Sequence, residues 1–591
     1  MMRFKNLIAA AVLAVLPAFA CATTPVVQWV GAGSSAQWQS FGIGAYNLAV
    51  SLDTSATPGA SHFTVKGTCL ADCADGNDTR SSSISLQSGS LWVIWTNDHS
   101  KVWAGLSVDS IVGDRLFFAV PRATLLLDTC YNTTAYLTSC GVKASAGNTN
   151  LISSAILGTT DQTSLPSDIF AALQGSNFTA AMTDIRPEDA EFEQQRVVST
   201  QGAALVDTTK AFGLGYGTGP NTLVGTNIVS SVSGSAQPVA FALSGGKDPF
   251  TNQTVPASVT IPVGAAPIVF FVNRQNPNGA GASATAGKTL AQGGLPKYKD
   301  LPGQIQQQIF SGVNCAIPGT TIPLHVMLRE PLSGTMTTEE FTANLNKGYV
   351  NAASQETGIT AATEFKLGAW SNTGAKLTPY TPYTPLSNSS GGTGGKTCAN
   401  GIGDRSRAVG TGDETKLVEF VTDAVGYNFF GYGNFSAIAN NPLYGYLTWH
   451  STDPINATYT NGQFPACSAA GCPKAPGTSF PNLRNGKYQA WGILRVVTDA
   501  TGTANYTNTA ALVTATQNHV NSSIPDYVPM APTLDGDPGL LYYRSHYTRV
   551  GVTPNNGLLA GSTEAGGDVG GNIYLKPNPA TAGTLNSKDY Q

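Results

Sequence analysis

An α/β fold is what the sequence predicts, and three observations predict it. Val26 to Val30 reads as a short buried strand, the glycine-rich Gly31-Ala32-Gly33-Ser34-Ser35-Ala36 as a turn, and Gln37 to Ala49 as a helix, with Trp38, Phe41, Ala45 and Leu48 at helical spacing. The same order recurs late in the chain. Ile322 to Leu328 reads as a strand, and Ser333-Gly334-Thr335 opens a helical run through Phe341. Third, 591 residues with 41% hydrophobic and only 12% charged side chains are enough to bury a core in two or more units.

The chain begins with an export signal. Arg3 and Lys5 precede an apolar run from Leu7 to Ala20, too short to span a bilayer, and small residues end it. Ala18-Phe19-Ala20 and Ala20-Cys21-Ala22 both offer an Ala-x-Ala cleavage pattern, so residues 1–22 form the expected signal peptide. The mature protein is expected to be periplasmic or secreted. Processing before Cys21 would instead leave a lipid anchor, but Ala18 and Phe19 make a poor lipobox.

Net charge is −4, and loss of Arg3 and Lys5 takes it to −6. Nucleic acid, which needs a basic footprint, is excluded as a partner. A buried anion site is not, because such sites use local amides rather than bulk charge. Nine cysteines become eight if Cys21 leaves with the signal. Cys69 with Cys73, Cys130 with Cys140, and Cys467 with Cys472 are closely spaced, which leaves Cys315 and Cys398 as a long-range pair. Sequence does not fix the connectivity. Metal binding is the alternative for the closest pairs, but no histidine lies near them, and disulfides suit the compartment.

The sequence carries few signatures of catalytic chemistry. The six histidines (His62, His99, His325, His450, His519, His546) are isolated, no pair has a metal-ligand spacing, and no Gly-x-Ser-x-Gly elbow occurs. Gly31 to Ala36 also fits the dinucleotide fingerprint, but no acidic residue follows a second strand at the required distance. Ser390-Gly391-Gly392-Thr393-Gly394-Gly395-Lys396-Thr397 imitates a P-loop, yet serine replaces its first glycine and no apolar strand precedes it. No cofactor or metal is expected.

The stretch from Lys297 to Phe341 carries the most information. Leu301 to Gly312 reads as a short helix with Ile305 and Ile309 on one face, ended by glycine. Arg329 stands at the end of the strand that follows, and Ser333-Gly334-Thr335 opens the next helix. A fixed charge, two hydroxyls and several free amides then share one small volume, which suits a tetrahedral oxyanion.

Arg-x-x-x-Ser-Gly-Thr after a strand, preceded by an Ile-Phe-x-Gly helix end, resembles the periplasmic phosphate-binding proteins of ABC transporters. Other landmarks follow in order. Gly31 to Ala36 is similar to the family's opening glycine loop, and Phe178 to Glu188 to its strand ending in an aspartate, here Asp184. Pro262 to Asn273 resembles its crossover strand, Val421 to Phe430 its Gly-Tyr strand, and Leu512 to Met530 its closing helix and Tyr-x-Pro end. The resemblance implies a two-lobed type 2 periplasmic binding-protein fold with a ligand cleft between the lobes and long insertions. Lobe 1 would hold residues 23–262 and 480–532, lobe 2 residues 263–479, and 533–591 a flexible or surface-lying extension.

For function, the resemblance implies capture of phosphate for an inner-membrane ABC permease by a monomeric, non-enzymatic protein. The ligand residues it implies are Ser34, Ser35 and Ala36 on the first loop, Asp184 as the acidic contact, and Arg329, Ser333, Gly334 and Thr335 from the second lobe. An aspartate accepts a hydrogen bond only from a protonated oxyanion, so phosphate is retained and sulfate refused. The sequence departs from the pattern in two places. Pro331 stands where an acidic residue often braces the arginine, and the second serine loop has no clear position, Ser81-Ser82-Ser83 and Gly89-Ser90 being the guesses. Asp184 as a surface cap, and Arg329 paired with Glu330, Glu339 or Glu340, are the plain structural alternatives. Two other functions stay open, a phosphatase on the same fold and a surface protein that has lost the site.

Overall fold

The computed structural model describes residues 24–66, 90–108, 110–125, 127, 165–187, 190, 222–224, 227–230, 241–248, 251–273, 300–310, 312–317, 319–329, 333–343, 396–398, 400–408, 411–420, 423–431, 435, 438–439, 441, 444–459, 462–465, 476–522, 526–544 and 573–575. The signal segment with Cys21, the cysteines at 69, 73, 130, 140, 467 and 472, Ser81 to Gly89, Glu330 to Leu332 and Ser390 to Gly395 lie outside these residues.

Thirteen strands join in one sheet. In chain order they are β1 (Val26–Ser34), β2 (Ala60–Lys66), β3 (Ser90–Thr96), β4 (Lys101–Val108), β5 (Ala180–Thr183), β6 (Ser258–Asn273), β7 (His325–Arg329), β8 (Lys396–Thr397), β9 (Asp404–Ala408), β10 (Ala424–Phe429), β11 (Tyr444–Tyr446), β12 (Trp491–Asp499) and β13 (Val528–Pro529). Their order is β8-β9-β7-β10-β6-β12-β5-β1-β4-β3-β2, with β11 and β13 also on β6.

The 16-residue β6 makes two lobes of this sheet. Its first part, Ser258 to Pro267, pairs antiparallel with β12, and its last, Ile268 to Val272, with β10. One half-sheet thus carries β12, β5, β1, β4, β3 and β2, the other β10, β7, β9 and β8. Within the first half, β1 runs parallel to β4 and β5; within the second, β7 runs parallel to β9 and β10. Parallel strands return through helices, so their carboxyl ends share one edge, where ligands of α/β sheets collect. The helices leaving that edge are α1 (Trp38–Leu52) after β1, α2 (Ser110–Phe118) after β4, α5 (Gly334–Thr342) after β7 and α6 (Thr411–Phe420) after β9. Three more are α3 (Ser167–Leu173), α4 (Gly303–Phe310) and α7 (Ala504–Ser522).

Alternation along β1 explains why it is buried on both faces. Trp29 joins one apolar cluster with Phe41, Trp92 and Trp103, while Val30 and Ala32 join a second with Ile111, Leu116 and Ala181. Trp29 stacks on Trp92 at 5.7 Å and on Phe41 at 5.9 Å between ring centroids. The indole N–H groups of two neighbours are satisfied too: Trp38 donates to the Gly105 carbonyl at 3.0 Å and Trp92 to the Trp38 carbonyl at 2.8 Å.

Gly31 to Gly33 does not form a turn but continues β1 as far as Ser34, and the turn follows at Ser35 to Gln37. The glycines serve close packing instead. A Cβ on Gly31 would stand 2.0 Å from the Trp29 ring, and one on Gly33 1.9 Å from the Met182 carbonyl oxygen. Gly33 also has φ of +139°, which side chains avoid.

The remaining elements shift only at their ends. The helix expected over Leu301 to Gly312 is α4, with Gly312 at φ +74° just beyond it. The closing helix starts earlier than expected, at Ala504, and packs on α1, where Gly44 lies against Thr516. Cys315 and Cys398 form a disulfide. In the terminal extension, Ile573–Leu575 pairs antiparallel with Tyr542–Arg544.

Candidate functional site

Four helix amino-termini meet at the shared edge of the two half-sheets, and the polar residues between them form one hydrogen-bonded group. From the first lobe come Ser34 at the end of β1, the turn Ser35 to Gln37 leading into α1, Asp184 directly after β5, and Ser110 at the start of α2. The second lobe contributes Arg329 at the end of β7, Ser333 to Thr335 at the start of α5, and Thr411 at the start of α6. Each helix start has N–H groups without an intrahelical partner and the positive end of a peptide dipole.

Asp184 is the centre of this group and is only 2% exposed. The Ser34 hydroxyl donates to one of its carboxylate oxygens, and the Thr335 hydroxyl donates to the other at 3.0 Å. Its backbone N–H donates to Ser110 Oγ at 3.2 Å. Burial pushes its carboxyl above the ordinary carboxylate range, against the lowering effects of the Ser34 bond, the Arg329 charge and the Thr335 bond. Gly334 sits directly over it: a Cβ there would lie 2.6 Å from Ser110 Oγ and 2.9 Å from Asp184 Cβ. Ser333 caps α5 by accepting from the N–H groups of Thr335 and Met336, at 3.2 and 3.4 Å.

Arg329 is buried beside this centre, 2% exposed. It donates to Thr411 Oγ1 at 3.0 Å and to Asn428 Oδ1 at 3.1 Å, and its Nε stands 4.0 Å from Glu414 Oε2. Glu414 is itself fixed, accepting from the Tyr427 backbone N–H at 2.9 Å. The Tyr427 hydroxyl accepts from the Arg329 backbone N–H at 3.3 Å, and Asn428 Nδ2 donates to the Thr411 carbonyl at 3.2 Å.

A second bridge joins the lobes. Thr411 N–H donates to Ser35 Oγ at 3.0 Å, and Ser35 Oγ donates to Thr411 Oγ1 at 2.9 Å. On the first lobe, the Ala36 N–H donates to Ser34 Oγ at 3.1 Å, and Gln37 Nε2 donates to the Thr183 carbonyl at 2.9 Å.

All eight residues singled out from the sequence, Ser34, Ser35, Ala36, Asp184, Arg329, Ser333, Gly334 and Thr335, therefore fall in one place. The plain alternatives fare less well. Asp184 is not a surface cap, and Glu339, buried on α5, accepts from Gln306 Nε2. The carboxylate beside Arg329 is Glu414, delivered by α6 from far along the sequence; Pro331 lies outside the described residues.

Four members of the group are absent from the sequence-derived set: Ser110, Thr411, Glu414 and Asn428. Ser110 is legible in principle, as a serine before Ile111-Val112 at the end of the apolar run Val102 to Val108. Thr411 stands between two glycines in the sequence, at the first residue of α6. Among the described residues, no group of three or more His, Cys, Asp or Glu side chains is arranged to hold a metal ion. His99 pairs with Asp168 at 2.7 Å on the surface. No helix among the described residues is long and apolar enough to cross a membrane.

No family model and no curated protein matches this chain. Solved structures do. A phosphate-binding protein from Stenotrophomonas maltophilia is 13% identical, with 82% of each chain covered and a TM-score of 0.28. An ABC-type phosphate transport receptor from Vibrio cholerae is 11% identical over 46% of this chain and 71% of that one, with a TM-score of 0.21. A human phosphate-binding apolipoprotein is 12% identical over 48% and 69%, with a TM-score of 0.22. The α/β architecture itself rests on the strand pairing above, and in that architecture the chain is similar, at a wide distance, to these phosphate-binding proteins.

Proposed function

We propose that this chain is an exported, monomeric solute-binding protein that captures phosphate between its two lobes and delivers it to an ABC-type permease in the inner membrane. The observation that carries the proposal is the presence of a buried carboxylate, Asp184, and a buried arginine, Arg329, where four helix amino-termini from both lobes converge. Backbone N–H groups and the positive helix ends favour an anion, and Arg329 adds a fixed, planar charge. Asp184 would repel an anion unless that anion brings a proton. A partly protonated phosphate does so and donates to Asp184; fully ionised sulfate leaves two sets of lone pairs facing each other.

In this reading Ser34, Ser35 and Ala36 contribute hydroxyl and amide donors from lobe 1, and Ser333, Gly334 and Thr335 contribute the start of α5. Lobe 1 comprises residues 23–262 and 480–532 and lobe 2 residues 263–479, with residues 1–22 removed on export. No group in the cleft is assigned a catalytic role. Isothermal titration of the mature protein with phosphate, sulfate and a phosphate monoester, repeated on Arg329→Ala, tests it. Phosphate binding in the micromolar range or tighter, lost in the variant, is the expected result. Failure to bind any of the three overturns the proposal, and turnover of the ester by metal-free protein replaces it with an enzymatic one.

A further inference from the structure

Among the described residues, the Thr411 side chain has a proton to give and no acceptor to receive it. A threonine hydroxyl offers one O–H donor and two acceptor lone pairs. Thr411 Oγ1 accepts twice, from Ser35 Oγ at 2.9 Å and from the Arg329 guanidinium at 3.0 Å. The residue is fully buried, so bulk water does not take the remaining proton. Its neighbours are donors toward it: a guanidinium on one side and a hydroxyl on the other. What such a setting lacks is an acceptor, and the acceptor that suits a position beside an arginine is an anionic oxygen.

We propose that Thr411 is a further ligand-contacting residue, whose hydroxyl donates to an oxygen of the bound tetrahedral oxyanion. The inference rests on the oxyanion reading of the cleft and extends it to a residue of α6. The contact also depends on closure. Ser35 belongs to lobe 1 and Thr411 to lobe 2, and Ser35 takes the first N–H of α6 while donating to the Thr411 hydroxyl oxygen. With that lone pair occupied by lobe 1, the Thr411 proton turns to the ligand, so the donor is oriented only when the lobes meet.

The test titrates inorganic phosphate into the mature wild-type protein, Thr411→Val and Thr411→Ser, with thermal melts of each without phosphate. Valine keeps the shape and removes the donor. Its affinity is expected to fall about tenfold or more, the usual result of leaving a buried charged acceptor short of a donor. Serine restores the donor and is expected to recover most of that loss. The ionic-strength dependence of the residual binding in Thr411→Val should match wild type, because the Arg329 charge still faces the ligand.

Wild-type affinity in Thr411→Val overturns the proposal. So does equal loss in both variants with parallel falls in unliganded melting temperature, which assigns Thr411 to holding α6 alone. A flattened salt dependence overturns it as well, because Thr411 would then act only through Arg329. If wild-type protein binds no phosphate, the reading of the cleft fails and this inference fails with it, so the wild-type titration separates the two failures.

Discussion

Replacing Asp184 with asparagine should change which anions the cleft accepts more than it changes the fold. The carboxylate accepts from Ser34 and Thr335 and has the Gln37 side chain as a third hydrogen-bond partner, so of its roughly four lone pairs one is left for a donor brought by the ligand. Asparagine keeps the shape, converts one acceptor into an N–H donor, and removes a negative charge. The Ser34 and Thr335 hydroxyls can rotate to accept as well as donate, so the local network survives. A hydrogen bond to a charged group contributes about 1.5 to 3 kcal/mol, and about 1.4 kcal/mol is tenfold in affinity. The phosphate-to-sulfate preference should therefore fall roughly tenfold to a hundredfold or more, with phosphate weakened and sulfate admitted. A second readout follows from the raised carboxyl of Asp184. A carboxyl raised in the folded state contributes stability that is full below its unfolded value and is lost as pH rises through its folded one. Asp184→Asn removes that loss, so the unliganded variant should melt higher than wild type at neutral pH, the gap closing in acid. Paired titrations with phosphate and sulfate, with melts across pH, check both. An unchanged anion preference in a well-folded variant would refute the role given to Asp184.

Gly334→Ala places a methyl group 2.6 Å from Ser110 Oγ and 2.9 Å from Asp184 Cβ, so something in the centre of the site must move. Overpacking of this kind costs about 1 to 3 kcal/mol; a matching fall in melting temperature with weaker phosphate binding is expected, checked by calorimetry and titration. Asp423 tests electrostatics away from the cleft: it is 1% exposed, and burial, opposed by the charge of nearby His325, raises its carboxyl to about 7. Its contribution to stability is full below about pH 4 and lost between about pH 4 and 7, by up to about 4 kcal/mol, since each tenfold change in proton affinity corresponds to roughly 1.4 kcal/mol. Asp423→Asn should flatten the dependence of melting temperature on pH over that window, and a curve parallel to wild type would count against it.

What the sequence reveals and what it hides divide along a physical line. Arg329 with Ser333 to Thr335, and Ser34 with Ala36, are legible because strand, turn and helix start are consecutive, so local periodicity and capping chemistry place them. The Asp184 position is legible only through the resemblance of Phe178 to Glu188 to the family's strand that ends in an aspartate, and in the structure it stands directly after β5. Contacts between those units are a different matter. Ser35 meets Thr411 across 376 positions, and Arg329 meets Glu414 only because β9 and β10 lie on either side of β7. Local pattern contains nothing about that neighbourhood: it offers 330, 331, 339 or 340 as the arginine's neighbour, whereas the carboxylate comes from another helix. The glycines of β1 mislead for a third reason. Glycine in a turn and glycine under a tryptophan ring look identical in one dimension, and only the Trp29 ring over Gly31 distinguishes them.

Under the proposed function, the charges of the site would let a protein of net negative charge hold an anion in its interior. Arg329 is offset by Glu414, 4.0 Å away, and Asp184 adds a further negative charge. By side chains alone the centre would repel phosphate. The balance is reversed by backbone: each of four helix amino-termini acts as roughly half a positive charge, which together outweigh the one uncompensated carboxylate. Two of those termini, α1 and α2, belong to one lobe and two, α5 and α6, to the other. The attraction is therefore at full strength only when the lobes are together. With the lobes apart, as the proposed reading requires for entry, each lobe would present half of it, and lobe 1 would present its half together with Asp184. On the proposed reading, the two helix termini of lobe 1 are cancelled by Asp184, so lobe 1 alone would offer an unprotonated anion no net attraction. A protonated one would still gain the hydrogen bond to Asp184, and Arg329 would add its charge on closure.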